Sequence, residues 1–262
     1  MKQLKGKTAL ITGASSGIGE AFAVELASQE CNLIITARSK AKLLQKAEAL
    51  RREFGVKVAV YSGDLSLKET PQKLFDKIRE DGLSVDLLVN NAGVGKWTNF
   101  LDEPLESYGA MLQLNINALV KLTYLFLPEM LKNKEGGVIN IASTGAFQPC
   151  PYVAAYCASK SFVLHFSEAL YGEYHKMGIT ITAVCPGNTD TGFQKEANAN
   201  TQGMASDSPE KVAKDGLRAF LQGSPLQVVG VSNYVSSLLP RFLPRKTVIG
   251  VVRNMMNKKV NP

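Results

Sequence analysis

Acidic residues are missing from the last part of this chain. After Asp215 there is no Asp or Glu, so the net charge of +7 belongs to that part of the sequence. The basic residues that follow Asp215 are Arg218, Arg241, Arg245, Lys246, Arg253, Lys258 and Lys259. Apolar residues alternate with them, which is typical of a helix that packs on its own domain with a solvated basic rim. The same pattern allows contact with an anionic membrane surface or an acidic partner. No nucleic-acid-binding module is present, so we expect no nucleic acid partner.

Cysteine and histidine are scarce, with four and two residues respectively. The cysteines are Cys31, Cys150, Cys157 and Cys185. They lack the paired spacing of a zinc site, and no acidic cluster joins His165 and His175 at metal-ligand spacing, so we expect no metal. The N-terminal residues before the first strand are too few for the apolar region of a signal peptide. Free thiols and a cytoplasmic location are therefore expected.

Linkers, repeats and long apolar runs are also lacking. A chain of 262 residues with 45% hydrophobic and 20% charged residues is typical of one soluble globular domain. The longest charge-free stretch, residues 219–240, is broken by glycine, proline and serines, so it does not resemble a membrane span. We expect a single domain over residues 1–262, with a core of about 4–232 and a basic, apolar extension over about 233–262.

A glycine-rich turn follows the first predicted strand. Residues 8–12 are apolar and β-branched, and they lead into Gly-Ala-Ser-Ser-Gly-Ile-Gly at 13–19, after which a helix is predicted. Glycines permit a tight turn and close approach of a ligand to the backbone, while the free N–H groups at the start of a helix favour an anion. The spacing Gly-x-x-x-Gly-x-Gly after a strand and before a helix predicts a dinucleotide phosphate site.

The end of the second predicted strand, residues 32–36, bears on cofactor choice. Dinucleotide folds that prefer NAD usually place an acid here, whereas an arginine accommodates the 2′-phosphate of NADP. This chain has Ala37 and Arg38 instead of an acid. We therefore expect NADP(H) to be preferred over NAD(H). A charge-assisted hydrogen bond contributes about 1.5 to 3 kcal/mol, which corresponds to a preference in affinity of about 10-fold to 150-fold.

Strands and helices continue to alternate along the chain. Further strands are predicted at 56–61, 85–89, 137–141, 180–184 and 227–231, and helices at about 40–54, 70–80, 107–131, 151–177 and 209–221. Such alternation predicts a parallel sheet with helices on both faces and ligands at the carboxyl ends of the strands. Pro128 is expected to bend or end its helix. The polar stretch 188–208 is predicted to form a mobile flap.

Tyr156 and Lys160 stand four residues apart on one predicted helix, so their side chains share one face about one turn apart. A phenol has an ordinary pKa of about 10, and a nearby positive charge favours the phenolate. Tyr156 is therefore a candidate general acid or base.

Together these motifs resemble the short-chain dehydrogenase/reductase family in its compact single-domain branch, over roughly residues 4–232. The resemblance rests on Thr12 to Gly19, Asp64, Asn90 to Gly93, Asn115, Ser143, Tyr156 to Lys160 and Pro186 to Thr189, in that family's order and approximate spacing. It implies an α/β, Rossmann-type doubly wound parallel sheet of about seven strands, with a C-terminal helical extension. It also implies hydride transfer between NADP(H) and a ketone, an aldehyde or a secondary alcohol.

The resemblance assigns roles to individual residues. Tyr156 would protonate the carbonyl oxygen, Ser143 would hydrogen-bond that oxygen, and Lys160 would hold the nicotinamide ribose and lower the pKa of Tyr156. Asn115 would keep a helix locally open so that water links Lys160 to solvent. The implied cofactor-binding residues are Gly13, Ser15, Ser16, Gly17, Ile18, Gly19, Arg38, Asp64, Leu65, Asn91, Ala92, Gly93, Tyr156, Lys160, Pro186, Gly187, Thr189 and Thr191. Ser16 stands where some NADP-preferring members have a basic residue, so the preference rests on Arg38.

The residues beyond Val231 resemble extensions of lipid- and steroid-directed relatives, which implies a lipophilic carbonyl substrate. Aromatic and proline residues expected to border its pocket are Trp97, Phe100, Phe147, Pro149, Tyr152 and Phe193. Two alternatives stay open: a 3-oxoacyl-thioester reductase acting on carrier-protein or coenzyme A substrates, and a non-catalytic NADPH-binding sensor. Relatives are usually homodimers or homotetramers, and either is expected here.

Overall fold

A single parallel sheet of seven strands forms the centre of the protein. A computed structural model describes residues 3–261. The strands are β1 (Thr8–Thr12), β2 (Asn32–Ala37), β3 (Val58–Ser62), β4 (Leu87–Asn90), β5 (Gly136–Ile141), β6 (Ile179–Cys185) and β7 (Leu226–Val228). Their order is β3-β2-β1-β4-β5-β6-β7, and every neighbouring pair is parallel. The direction of crossover reverses between β1 and β4, where ligands bind in open sheets of this kind.

Within residues 3–261, ten α-helices connect or follow the strands. They are α1 (Gly17–Ser28), α2 (Lys40–Phe54), α3 (Thr70–Glu80), α4 (Leu105–Leu112), α5 (Leu119–Asn133), α6 (Ala154–Tyr174), α7 (Phe193–Glu196), α8 (Pro209–Leu221), α9 (Val231–Leu238) and α10 (Arg245–Val260). A π-helical turn, Gln113–Ala118, joins α4 to α5. The prediction of about seven parallel strands followed by a helical extension is confirmed.

Two hydrophobic cores cover the two faces of the sheet. Successive side chains of a strand point to opposite faces, and the neighbours Leu10 and Ile11 accordingly belong to different cores. The core that contains Ile11 includes buried residues of α1, α2 and α8, while that of Leu10 includes residues of α3 and α5. The inner strands β1, β4, β5 and β6 are buried on both faces and their sequences are mostly apolar, whereas the edge strands β3 and β7 are partly exposed.

Several predicted element ends differ from the structure, and two of the differences have a clear cause. Pro128 does not end its helix, since α5 continues to Asn133 with Pro128 on its exposed side. The carbonyl of Tyr124, which proline leaves without its helical partner, lies on an exposed residue where water can bind it. The last strand ends at Val228 instead of Val231, because Gly230 turns the chain with a φ of 87° and α9 begins at Val231.

One helical run among the described residues, Leu105–Asn133, is long and apolar enough by length and composition to cross a membrane. Its buried side chains Leu122, Phe126 and Met130 pack into the core on one face of the sheet. One face of the run therefore belongs to the core, while Leu105, Leu112 and Tyr124 are exposed.

Candidate active site

The glycine-rich turn at the end of β1 is shaped by two left-handed glycines and one close contact. Gly13 and Gly17 have φ values of 66° and 59°, which favour glycine. Gly19 has no such angle, but a Cβ there would lie 2.5 Å from the Asn91 side-chain nitrogen. The third glycine therefore allows α1 to pack closely against β1 and the end of β4.

Asn91 and Thr12 join the ends of β1 and β4. The Asn91 side chain donates to the Thr12 carbonyl at 2.9 Å. The Thr12 hydroxyl accepts hydrogen bonds from the backbone N–H groups of Asn91 and Ala92, each at 2.9 Å. These hydrogen bonds fix the position of the glycine-rich turn relative to the ends of β1 and β4.

Lys160 is buried beneath the site, where its ammonium donates to the Ile141 carbonyl at 2.7 Å. A Cβ on Gly93 would lie 3.3 Å from the lysine nitrogen and 3.2 Å from the Asn115 side-chain oxygen. Gly93 thus leaves room for the lysine and the asparagine together. Burial lowers the pKa of Lys160 to about 8.

Asn115 lies in the middle of the π-helical turn. Its side chain accepts from the Val94 N–H at 3.0 Å and donates to the Val94 carbonyl at 2.9 Å and the Ser159 hydroxyl at 3.0 Å. A π turn widens a helix by one residue and is frequent at functional sites. The buried amide is therefore satisfied, and it ties this turn to the loop after β4 and to the helix of Tyr156.

Tyr156 is partly exposed in the cleft beside Ser143, which follows β5. Burial of the phenol raises the pKa of Tyr156, and a hydrogen bond with Ser143 acts in the opposite direction. The Lys160 nitrogen lies 5.8 Å from the centre of the Tyr156 ring. Desolvation of the phenol is the largest cause of this shift, so the pKa of Tyr156 is raised where a lowering was expected.

A cleft of about 750 Å³ runs along the carboxyl ends of the strands. Such a volume is within the range of small-molecule and cofactor sites. Almost all sequence-predicted site residues line it: Gly13, Ser15, Ser16, Gly17, Ile18, Arg38, Asp64, Leu65, Asn91, Ala92, Gly93, Ser143, Tyr156, Lys160, Pro186, Gly187, Thr189 and Thr191. Gly19 and Asn115 stand behind this wall and support it through the contacts described above.

Of the residues expected to border the substrate end, only Trp97 and Phe193 line the cleft. The Phe193 ring lies 5.4 Å from that of Tyr156. Phe100 instead stacks on Tyr108 at 5.0 Å, and Phe147 packs into a core cluster beside α6. Apolar loop residues here serve mainly mutual packing, so that part of the prediction was wrong.

Sequence reasoning missed two parts of the cleft wall. Val252, Met255 and Met256 of α10 border its apolar end, and Glu196 of α7 stands beside Arg38 with 3.7 Å between carboxylate and guanidinium. These residues are distant in sequence from the strand ends, and no local pattern places them. The stretch 188–208, predicted as a flap, contains α7 and a parallel bridge between Thr189 and Asp207.

Residues 7–202 match the protein family described as short chain dehydrogenase. The chain belongs to the short chain dehydrogenase family. Among curated relatives, it is 31% identical over 269 residues to a very-long-chain 3-oxoacyl-CoA reductase of Anas platyrhynchos, covering 97% of this chain and 81% of the relative. It is 36% identical over 198 residues to 17-beta-hydroxysteroid dehydrogenase type 3 of Mus musculus, and the match covers 74% of this chain and 63% of the relative.

A solved structure of a short-chain dehydrogenase from Sphingobium yanoikuyae in complex with NADPH is similar to this protein with a TM-score of 0.82. It is 28% identical, and the match covers 96% of this chain and 95% of that one. The family prediction made from the motifs is thus confirmed, and the protein is an oxidoreductase of the short chain dehydrogenase family acting on carbonyl or alcohol groups.

Proposed function

We propose that this protein is an NADPH-dependent reductase of a lipophilic ketone or aldehyde. The observation that carries the proposal is the convergence of Tyr156, Ser143 and Lys160 at one place in the cleft that also contains the glycine-rich turn. A sensor without turnover would not need a phenol, a hydroxyl and a buried ammonium at the same place.

The residues of the cleft fit a dinucleotide. Gly13 and Gly17 adopt the left-handed conformations of the tight turn that leads into α1, and the N-terminus of a helix favours pyrophosphate. Gly13, Ser15, Ser16 and Ile18 would hold the phosphates, and Asp64 and Leu65 would contact the adenine. A bound nicotinamide cofactor supplies or accepts hydride.

The protein side of the reaction is a proton transfer. In the direction of reduction the Tyr156 hydroxyl donates its proton to the carbonyl oxygen of the substrate, and Ser143 donates a hydrogen bond to the same oxygen. Burial raises the pKa of Tyr156, so the phenol is protonated at neutral pH but is a weaker acid than a free phenol, and the hydrogen bond with Ser143 acts against this rise. Lys160, held by Ile141, supplies positive charge under this site.

Arg38 supports NADP(H) over NAD(H). It lines the cleft directly after β2, at the sequence position where folds that prefer NAD usually place an acid, and its side chain is 68% exposed. Lys42, one turn into α2, lines the same end of the cleft. Two cations at this end favour a cofactor that carries an additional phosphate.

The apolar end of the cleft supports a lipophilic substrate. Besides Trp97 and Phe193, it is bordered by three methionines and several aliphatic side chains. These lining residues are Met111, Leu114, Val153, Val252, Met255 and Met256. Methionine adapts its shape to irregular apolar ligands.

A 3-oxoacyl-thioester is the second candidate substrate. The similarity over 97% of the chain to a very-long-chain 3-oxoacyl-CoA reductase favours it. The 17-beta-hydroxysteroid dehydrogenase relative favours a ketone on a rigid apolar ring system instead.

A spectrophotometric panel tests both candidates. NADPH and NADH are each offered with aliphatic and cyclic ketones, aldehydes and acetoacetyl thioesters, and oxidation is followed for wild type and Tyr156→Phe. We expect NADPH-dependent turnover that Tyr156→Phe abolishes while NADPH still binds. Full activity in that variant would refute the mechanism. Activity on ketones without activity on acetoacetyl thioesters would exclude the second candidate.

A further inference from the structure

The C-terminal segment, defined as residues 231–260, exposes an unusual number of large apolar side chains. Those side chains are Val231, Tyr234, Val235, Leu239, Phe242, Leu243, Ile249, Val251 and Met255. Val231 and Phe242 are 82% and 81% exposed. Single apolar residues are normal on a surface, but nine of the twenty large exposed apolar side chains of residues 3–261 fall within this one segment, and such a concentration points to an interaction site.

The same segment carries only positive charge. Arg241, Arg245, Lys246, Arg253 and Lys258 are exposed beside the apolar side chains, and the segment contains no acidic residue. Its surface therefore combines apolar groups and cations, with no carboxylate within the segment to neutralise them.

The opposite side of the segment is fixed to the protein. Val248 and Met256 of α10 are buried, and the Asn261 and Asn99 side chains hydrogen-bond each other at 3.2 Å. Lys259 donates to the Gln202 carbonyl of the stretch 188–208. The helix is thus held in place on its own domain, as one of the sequence interpretations predicted, while its outer side chains stay exposed.

We propose that the C-terminal segment is a docking surface for an anionic lipid bilayer. Apolar side chains enter the boundary between headgroups and acyl chains, and the neighbouring cations bind the anionic headgroups. A symmetric contact with a second copy would bring the same cations of two segments together without acids of the segment to pair them. Charge complementarity therefore favours lipid over a second copy.

Docking through this segment would place the apolar end of the cleft next to the bilayer. Val252 and Met256 of α10 line the cleft, while Val251 of the same helix is exposed. A lipophilic substrate would then pass from the bilayer along α10 to Tyr156. This consequence rests on the proposed function, whereas docking itself does not.

Co-sedimentation of the full-length protein with vesicles tests the docking. Vesicles of phosphatidylcholine alone are compared with vesicles that also contain phosphatidylglycerol, at low and high salt. Phe242→Ser is expected to weaken partitioning to the anionic vesicles about 10-fold, because an exposed phenyl group is lost. The double variant Arg245→Glu and Lys246→Glu is expected to weaken it at least ~20-fold, and high salt to weaken wild-type binding.

Matched control variants lie elsewhere on the surface. Leu67→Ser removes an apolar side chain that is 61% exposed between β3 and α3, and the double variant Arg52→Glu and Lys73→Glu reverses two exposed cations on α2 and α3. These controls should bind vesicles as wild type does. Circular dichroism and light scattering accompany each variant, so that misfolding and association are measured separately from lipid binding.

Three results would overturn the proposal. They are no sedimentation with anionic vesicles, equal binding to neutral vesicles, and equal loss in the control variants. A dimer in light scattering that Phe242→Ser dissolves, together with absent vesicle binding, would assign the surface to a second copy. Because sedimentation needs no substrate, it gives a result even if no carbonyl compound is turned over.

Discussion

The Arg38 guanidinium lies 3.7 Å from the Glu196 carboxylate, so that β2 and the short helix α7 face each other across one end of the cleft. Both side chains are largely exposed, at 68% and 60%. An exposed ion pair contributes little to stability. The Glu196 carboxylate nevertheless pairs with the Arg38 guanidinium, which is the group expected to bind the 2′-phosphate of NADPH.

Glu196→Gln should therefore tighten NADPH binding by about 2-fold to 5-fold, since the competing carboxylate is removed. NADH affinity should not change, because NADH has no 2′-phosphate. Fluorescence titration with both cofactors measures the effect. Glu53→Gln, an exposed site on α2, serves as the control. Equal tightening of NADH would contradict the competition, and a normal NADPH affinity in Arg38→Ala would exclude the role of Arg38.

Lys160→Met should stabilise the fold at neutral pH while it abolishes activity. Burial lowers the pKa of Lys160 from 10.5 to about 8. Below pH 8 Lys160 is protonated in both the folded and the unfolded chain. The buried charge then lowers the free energy of unfolding by about 3 kcal/mol, at 1.36 kcal/mol per pKa unit. Between pH 8 and 10.5 only the unfolded chain stays protonated, so the stability of the wild type rises with pH.

Urea denaturation of wild type and Lys160→Met at pH 7 and pH 10 measures this difference. The free energy of unfolding of Lys160→Met should exceed that of wild type by about 3 kcal/mol at pH 7, and the difference should shrink towards pH 10. Lys73→Met on the exposed face of α3 is the control and should show no such change. A variant less stable than wild type at pH 7 would show that the bond to Ile141 outweighs the burial of the charge.

Gly19→Ala should destabilise the protein by about 1 to 3 kcal/mol and weaken cofactor binding. A Cβ at this position would overlap the backbone carbonyl of Gly13 and lie 2.5 Å from the Asn91 side-chain nitrogen, so α1 must move away from the glycine-rich turn. Gly172→Ala in α6 is the matched control, because no atom lies within 4 Å of a Cβ there. It should stabilise by about 0.5 to 1 kcal/mol. Chemical denaturation measures the free energy of unfolding of both variants. An equal change in Gly19→Ala and Gly172→Ala would refute the packing argument.

Cys150 should be the first of the four cysteines to react with iodoacetamide. It is the only one that is not buried, and a hydrogen bond with Cys157 lowers the pKa of Cys150. Burial raises the pKa of both Cys31 and Cys185 to about 12. A thiolate is the reacting species, so these two should remain unmodified.

Peptide mass spectrometry after short exposure identifies the modified residue. Cys150 lines the cleft, so its alkylation should lower turnover, and Cys150→Ser should be protected from this inactivation. Initial modification of Cys31 or Cys185 would contradict the prediction. Inactivation of Cys150→Ser at the wild-type rate would show that the loss has another cause.

Local patterns were enough for the strand ends that carry the site. The glycine-rich turn, Asn91 to Gly93, Ser143 and Tyr156 each follow or face the carboxyl end of a strand, and a parallel sheet brings all such ends to one edge. Residue order and spacing therefore predicted most of the cleft wall. The end of β7 was mispredicted because Gly230 redirects a run that stays apolar up to Val231.

The sequence by itself determined the parallel sheet, the residues at its carboxyl edge and the reactive pair on α6, because these depend on short-range periodicity and turn residues. Tertiary structure alone decided which distant segments complete the cleft. Glu196 meets Arg38, and Met256 reaches the substrate end, only when α7 and α10 are placed against the sheet. Tertiary structure also set the pKa of Tyr156 and of Lys160, since desolvation depends on everything packed around a group and not on its neighbours in sequence.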